Sequence, residues 1–327
     1  MKPRTALWLN AVSFMCVAVS VFTAVDARSQ DKIRIGISSS SPGFLPTVIA
    51  EHKGFYTKYG LASEHVRISL AIAMNALGSG DLNYAITMAQ GVSAAVRGVP
   101  VKLLMMTQDK LVFFLMVRPG IEQVTDLRNK AVGISTLGST THLVADVIAR
   151  RHGLTPGKDL HLLPSGDDQG RFASLETGRV DAVIGSTPLD VWGAKKNYKI
   201  IARAKDYTNL PQNAVIVSDT MIKQSSDQGK RMLKGTIEAL QFIQTNKKES
   251  IEILASYAKT NRDMATSMFE SYFPAYSRDG TMTDEALQAA IEEALTRAKV
   301  EKKVPVSQVA NRTLLLEAQR ELGLKQN

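Results

Sequence analysis

The stretch AVGISTLGSTTHLVADVIARRHGL, residues 131–154, reads as a buried strand, a turn of Gly, Ser and Thr, and then an amphipathic helix. Five hydroxyl residues (Ser135, Thr136, Ser139, Thr140, Thr141) and two glycines (Gly133, Gly138) crowd one strand-to-helix corner. Ser and Thr are good N-caps, so capping alone accounts for one or two of them. Five, with glycine opening the backbone, equally suit a nest of donors for a small anionic or polar ligand. Taken by itself the corner favours the simpler account, and the rest of the chain has to shift the balance.

Outward from this corner, strands and helices alternate. Upstream, KIRIGIS (32–38), HVRISLA (65–71), NYAITM (83–88), VPVKLLMMT (99–107) and LVFFLMVRPG (111–120) read as strands separated by helical segments. After Pro119-Gly120 the pattern restarts, with DLHLLPS (159–165), VDAVIGS (180–186), YKIIARA (198–204) and QNAVIVSD (212–219) as further strands. Beyond Thr220 the period is helical and the composition polar, with breaks such as PAYSRDGTMT (274–283). Two βαβ-rich halves and a helical tail predict two α/β lobes with parallel-dominated sheets. The halves echo one another. LGSGDLNYAITMAQ (77–90) and LETGRVDAVIGSTP (175–188) each run from Leu to a helix-ending glycine, Gly80 or Gly178, and then into a short strand.

The 327 residues are 44% hydrophobic and 22% charged, enough for one large or two medium domains with real cores. The formal charge is +9, but Lys and Arg are scattered among Asp and Glu, and aromatics are only 6%. That argues against nucleic acid as a partner and leaves anionic ligands open. At the front, Lys2 and Arg4 precede a mostly apolar run that ends at Val25-Asp26-Ala27. This is the pattern of a secretory signal peptide over residues 1–27, cleaved after Ala27. The competing reading is an uncleaved anchor, but Asn10 and two serines interrupt the run. Cys16, the sole cysteine, lies in this segment behind Met15, without the small residue that a lipoprotein signal wants. A chain starting at Arg28 has no thiol chemistry, no disulfide and a remaining net charge of +8. The expectation is a soluble protein exported to the periplasm.

Five segments carry a family resemblance: GFYTKYGL, ALGSGDLNYA, AAVRGVPVKLL, DLRNKAVGISTLGSTTH and GLTPGKDLHLLPSGDDQGRFASLETGRVDAVIGSTP. Each is weak alone. In this order and at this spacing, over residues 33–218, they resemble the substrate-binding proteins of ABC importers of the nitrate, sulfonate, taurine and thiamine-precursor (NMT1/THI5-like) group. The resemblance implies an α/β, two-lobed periplasmic-binding-protein fold of type II, with a helical C-terminal portion returning to the first lobe. It puts lobe 1 at 28–118 plus 214–327, lobe 2 at 119–213, and the crossings at 118–120 and 211–214. It also implies a monomer that hands a small ligand to an ABC permease in the inner membrane.

In such sheets ligands sit beyond the carboxyl ends of the strands. The candidate ligand-binding residues are therefore Ser39, Ser40, Phe44, Met88 and Gln90 from lobe 1. Lobe 2 offers Thr136, Ser139, Thr140, Thr141, Gly166, Asp167, Ser186 and Thr187. Ser139 and Thr140 are the expected donors to an acidic or strongly polar ligand group. Asp167-Asp168 could orient a ligand amine or bind a metal, but a helix N-cap is the simpler reading.

Catalytic and metal readings lack support. No G-x-S-x-G, H-E-x-x-H, P-loop or dinucleotide fingerprint occurs. His52, His65, His142, His152 and His161 do not pair with carboxylates at ligand spacing, and only His142, beside the threonines, invites attention. The reading is a binding protein without cofactor or metal. Its alternatives are a sensory binding protein that presents ligand to a receptor, or, further off, an exported enzyme on the same fold. No arginine sits clearly in a cleft turn: Arg171 follows the 166–169 loop and Arg118 lies at the expected hinge. Ordinary amino acids are therefore disfavoured, and a sulfonate, a carboxylate or a neutral heterocycle remains.

Overall fold

A computed structural model describes residues 30–324. The leader read over residues 1–27, with Cys16, lies outside the described residues. In chain order the strands are β1 (Asp31–Ile37), β2 (Leu61–Arg67), β3 (Tyr84–Ile86), β4 (Val101–Gln108) and β5 (Phe114–Val117), then β6 (Ala131–Ile134), β7 (His161–Pro164), β8 (Ala182–Gly185), β9 (Lys199–Arg203) and β10 (Asn213–Ser218).

These strands make two five-stranded sheets, ordered β2-β1-β3-β10-β4 and β7-β6-β8-β5-β9. In the first, β1 is parallel to β2 and β3, and β10 is antiparallel to β3 and β4. In the second, β6 is parallel to β7 and β8, and β5 is antiparallel to β8 and β9. Position by position the sheets match, and the antiparallel fourth strand of each arrives from a chain crossing. Helices cover the faces, so β3, β5, β8 and β10 are buried along their whole length and read as continuous apolar runs. The echo between the halves has a structural counterpart. Gly80 and Gly178 each end a helix with φ of 85° and 74°, and each leads into the third strand of its sheet.

The sequence reading places Phe114–Val117 at the end of the first lobe and the first crossing at 118–120. The strand instead belongs to the second sheet, and the chain crosses over residues 109–113. Its apolar composition marks β5 as buried but cannot say in which sheet. Pro119-Gly120 ends the strand and does not join lobes. Arg118 accordingly lies beside Gly178 of the second lobe, away from the crossing. The chain returns over residues 204–212, and Val215 pairs with Ile86 and Met105 in the first sheet.

Amides tie the crossings together. Asn213 Nδ2 donates to Gln108 Oε1 at 2.9 Å and to the Gly43 carbonyl at 3.1 Å. Gln212 Oε1 accepts from Val112 N at 2.9 Å. A Cβ on Gly43 would stand 2.9 Å from Asn213 Nδ2, so a larger residue would have to displace the amide that ties the loop after β1 to the return crossing.

The C-terminal helices build onto the first sheet. Helix Ser226–Thr245 buries Leu233, Ile237 and Leu240 completely and packs against helix Leu45–His52. Each such side chain contributes roughly 1.5–3 kcal/mol. Helix Asp284–Ala298 packs on helix Ala89–Val96, and helix Arg262–Tyr272 reaches the turn Pro42–Phe44. Among the described residues no helix is long and apolar enough to cross a membrane.

Candidate functional site

A cavity of about 290 Å³ lies between the sheets. The turns that follow six parallel strands surround it, where the strand order predicts a site. From the first sheet come the loop after β1, Arg67 at the end of β2 with Ser69 and Leu70, and Gln90 after β3. The second sheet contributes residues 135–141 after β6, 166–171 after β7, and Ser186 after β8. Phe113, Gln212 and Asn213 at the crossings complete the wall.

Ser39, Phe44, Gln90, Thr136, Ser139, Thr140, Thr141, Gly166, Asp167 and Ser186 are thus brought together around one space. Three expected residues are not. Met88 is core, 3% exposed at the start of helix Ala89–Val96. Thr187 is buried, with its hydroxyl turned to Asp190 at 3.0 Å. Ser40 faces an adjoining outer depression that Trp192, Met264 and Met268 also line.

The hydroxyl corner is a closed net. Ser139 caps helix Thr140–Arg151 by accepting from His142 N at 3.2 Å. The Thr141 hydroxyl accepts from Ser135 N at 2.8 Å and lies within 3.0 Å of the Ser135 and Ser139 hydroxyls. Thr136 and Thr140 make no side-chain hydrogen bond among the described residues, and both line the cavity. The first-turn amides of Thr140 and Thr141 have no carbonyl within the helix to bond. His142 holds the loop from behind: its Nδ1 accepts from Gly138 N at 2.8 Å. Burial, helped by Arg297 and Arg150, pushes its pKa down to about 4, so the ring is neutral at pH 7.

The neighbouring corner carries charge. Asp167 caps helix Asp168–Glu176 by accepting from Gly170 N at 3.0 Å, and it also accepts from Arg67 Nη2 of the first lobe at 2.6 Å. Arg171 is 4% exposed. Its Nη1 donates to the Gly166 carbonyl at 2.7 Å and its Nη2 pairs with Asp168, while Nε has no partner among the described residues. Burial pushes the Asp168 carboxyl above its ordinary range despite the guanidinium beside it. A Cβ on Gly170 would sit 2.3 Å from the Ser165 carbonyl, so glycine allows the helix to press against the loop it caps.

The expectation that no arginine faces the cleft is therefore corrected twice. Arg67 ends a parallel strand, which is a signal in itself, since that end opens on the cavity. Arg171 lies in a first helical turn, whose side chains lean back toward the preceding loop.

Across the cavity, Gln90 is 6% exposed; its Oε1 accepts from the Thr87 hydroxyl at 2.6 Å, and its Nε2 has no partner among the described residues. The loop after β1 is held by three tyrosines of the helical tail that sequence reasoning passed over. Tyr257 donates to the Ser39 carbonyl and Tyr276 to the Pro42 carbonyl, each at 2.8 Å. Tyr272 donates to the Ser186 hydroxyl of the second lobe at 2.8 Å and lies 3.1 Å from the Ser41 hydroxyl. Burial pushes its pKa up to about 12 and raises the other two as well, so all three remain protonated donors.

A family model described as NMT1/THI5 like matches residues 41–250. YtlA of Bacillus subtilis (strain 168), whose name calls it a binding protein without naming a ligand, is 20% identical over 94% of this chain and 97% of its own length. Among solved structures, the periplasmic nitrate-binding protein NrtA from Synechocystis PCC 6803 superposes with a TM-score of 0.74 at 16% identity, covering 90% of this chain and 89% of its own. The periplasmic aliphatic sulphonate binding protein SsuA from Escherichia coli gives 0.70 at 17% identity, over 87% of this chain and 93% of its own. The fold is that of the periplasmic binding proteins.

Proposed function

Because the chain belongs to the NMT1/THI5-like family, we propose that it is an extracytoplasmic solute-binding protein that captures a small organic ligand between its lobes and delivers it to an ABC permease. The observation that carries this reading is a pair of buried donors, Gln90 Nε2 and Arg171 Nε. They come from opposite lobes, line the same cavity and have no partner among the described residues. A buried donor left unmade costs about 1–3 kcal/mol, and a ligand acceptor placed between them would recover it. The described residues would then divide into a lobe of 30–108 with 213–324 and a lobe of 114–203, joined by the two crossings.

Charge narrows the ligand. Arg67 with Asp167, and Arg171 with Asp168, cancel within the wall, leaving the first turn of helix Thr140–Arg151 as the excess positive potential. Such a site suits a singly charged or neutral, acceptor-rich molecule, that is a sulfonate, a carboxylate or a neutral heterocycle. Phe44, Leu70 and Phe113 give it an apolar wall to lie against. Binding without turnover is supported by the chemistry of the wall. Its engaged hydroxyls bond one another and not a base, and the His142 ring is turned to Gly138 and Asp146. Export by the leader would place the protein in the periplasm as a monomer.

A thermal-shift panel of methanesulfonate, taurine, nitrate, acetate, benzoate and cytosine tests the reading, followed by calorimetry on the compound giving the largest shift. Gln90→Ala should weaken that compound by about ten- to a hundredfold, as expected for one buried hydrogen bond to a polar or charged acceptor. A panel compound that binds wild type and Gln90→Ala equally would sink this reading of the cavity.

A further inference from the structure

We propose that helix Thr140–Arg151 is also half of a latch between the lobes, with Arg150 gripping Glu293 and thereby setting the ligand corner at the helix's other end. The helix packs on β6 and β8 of the second sheet. Its last turn meets helix Asp284–Ala298, which packs on Ala89–Val96 of the first lobe. Arg150 Nη2 lies 2.5 Å from Glu293 Oε1; the carboxylate is mostly buried and the arginine is about one-third exposed. From that grip a line of contacts runs back along one helix face. Arg150 Nη1 is 4.0 Å from Asp146 Oδ2, which is 3.5 Å from His142 Nε2, whose ring accepts the Gly138 amide. Gly138 lies between Thr136 and Ser139, both in the cavity wall.

Two orphan groups indicate that this contact opens. Asp146 Oδ1 on the second lobe and Arg297 Nη1 on the first are both buried without partners among the described residues, although Arg297 Nη2 does reach Ser93 at 3.0 Å. An interface that stays shut pairs its buried polar groups, because each unmade bond counts against it. Here separation returns both groups to water while breaking the Arg150–Glu293 pair, together with the Arg67–Asp167 and Tyr272–Ser186 contacts between the lobes. A latch that follows ligand needs its two positions close in free energy, and the two unpaired groups act in that direction by lowering the cost of opening. Its consequence for affinity rests on the interlobe cavity being the ligand site.

The test reads lobe separation directly. Among the described residues Ile72 and Leu137 are the most exposed large apolar side chains, 58% and 59%, and each is close in sequence to a cavity-lining residue of its lobe, Leu70 and Thr136. Spin labels at I72C and L137C, in full-length protein carrying Cys16→Ser, report the interlobe distance by pulsed electron–electron resonance. Glu293→Gln and Arg150→Gln should each shift the short-to-long distance ratio about three- to tenfold toward long, the range for a partly buried ion pair. The double variant should shift no further than the larger single, since the two remove one interaction. Arg150→Lys should keep most of the short population, with melting temperatures confirming that every variant folds. Unchanged distributions in both singles, or a double variant that shifts by the sum of the two, would overturn the latch. The distances are read without added compound, so they stand or fall separately from the ligand panel.

Discussion

The two helix N-termini that open on the cavity from the second sheet are built alike and used differently. Helix Thr140–Arg151 follows β6 and is capped by Ser139, while helix Asp168–Glu176 follows β7 and is capped by Asp167. Both caps satisfy a first-turn amide. The hydroxyl corner turns most of its polar groups on itself, through Ser135, Ser139 and Thr141. The acidic corner reaches outward, with Asp167 to Arg67 of the other lobe, and holds a buried guanidinium. Counting polar residues therefore does not show which corner has groups left to offer a ligand. What matters is what each corner leaves unbonded among the described residues: the Thr136 and Thr140 hydroxyls on one side, and Arg171 Nε on the other.

The sharpest break of this comparison is Arg171→Ala. It removes the buried donor proposed for the ligand and strands Asp168, whose carboxyl is already raised by burial. Loss of one member of a buried pair costs about 3–5 kcal/mol. Partial escape through protonation of Asp168 puts the expected stability loss at about 2–4 kcal/mol, with binding of the best panel compound reduced more than a hundredfold. Denaturant unfolding and calorimetry read the two separately. Retained binding at full stability would mean that Arg171 serves neither purpose.

How much of this was legible beforehand follows from what sequence patterns encode. Strand–helix alternation and the order of short segments specify a two-lobed α/β chain, because periodicity and glycine stops are local. Which sheet takes β5 is not local: a continuous apolar run says only that both faces are covered, and the answer depends on β8 and β9, far along the chain. The same limit hid Tyr257, Tyr272 and Tyr276. They stand in a helical tail whose polar composition gave no reason to look there, yet their hydroxyls hold the loop after β1. Turn residues at strand ends were legible because the carboxyl-end rule needs only strand positions. Met88 and Thr187 satisfied that rule and still pointed into the core or to a local carboxylate, which is decided by rotamer and packing.

A gentler contrast lies behind the hydroxyl corner, in the buried Asp146 and His142. Burial raises the Asp146 carboxyl to about 6, with Glu293 adding and Arg150 and Arg297 opposing. Between about pH 4 and 6 the folded chain then holds a proton that the unfolded chain has released, so this contribution to stability falls as pH rises through that window. His142, held down at about 4, does the reverse: the unfolded chain binds the extra proton between about pH 4 and 6.5, and stability grows as pH rises. In the wild type the two slopes largely cancel. His142→Gln should expose the Asp146 slope, losing about 1–2 kcal/mol more than wild type between pH 4.5 and 6, and Asp146→Asn should tilt the other way. Urea unfolding at three pH values measures both, and two variants that parallel the wild type would deny the burial-driven shifts.

The smallest effects separate the two expected donors, Ser139 and Thr140. Ser139 has its hydroxyl committed: it accepts the His142 amide and lies 2.8 Å from Thr141 Oγ1, at 4% exposure. Ser139→Ala removes an N-cap and should cost about 1 kcal/mol of stability. It should leave affinity for the best panel compound within about twofold, since the corner's geometry is also held by Thr141 and His142 and twofold is only about 0.4 kcal/mol. Thr140 is the first residue of the helix, outside the capping net, in the cavity wall and with no side-chain bond of its own among the described residues. Thr140→Val keeps the shape and removes only the hydroxyl, so stability should stay within about 0.5 kcal/mol. A hydroxyl that donates to an anionic group contributes about 1.5–3 kcal/mol, and the Thr140 and Thr141 amides retained in the variant soften the loss to roughly five- to tenfold in affinity. Melting curves and calorimetry on the two variants therefore give crossed results, stability lost without affinity and affinity lost without stability. If Ser139→Ala instead loses the affinity and Thr140→Val does not, the capping hydroxyl is the ligand donor and the division of labour within this corner is reversed.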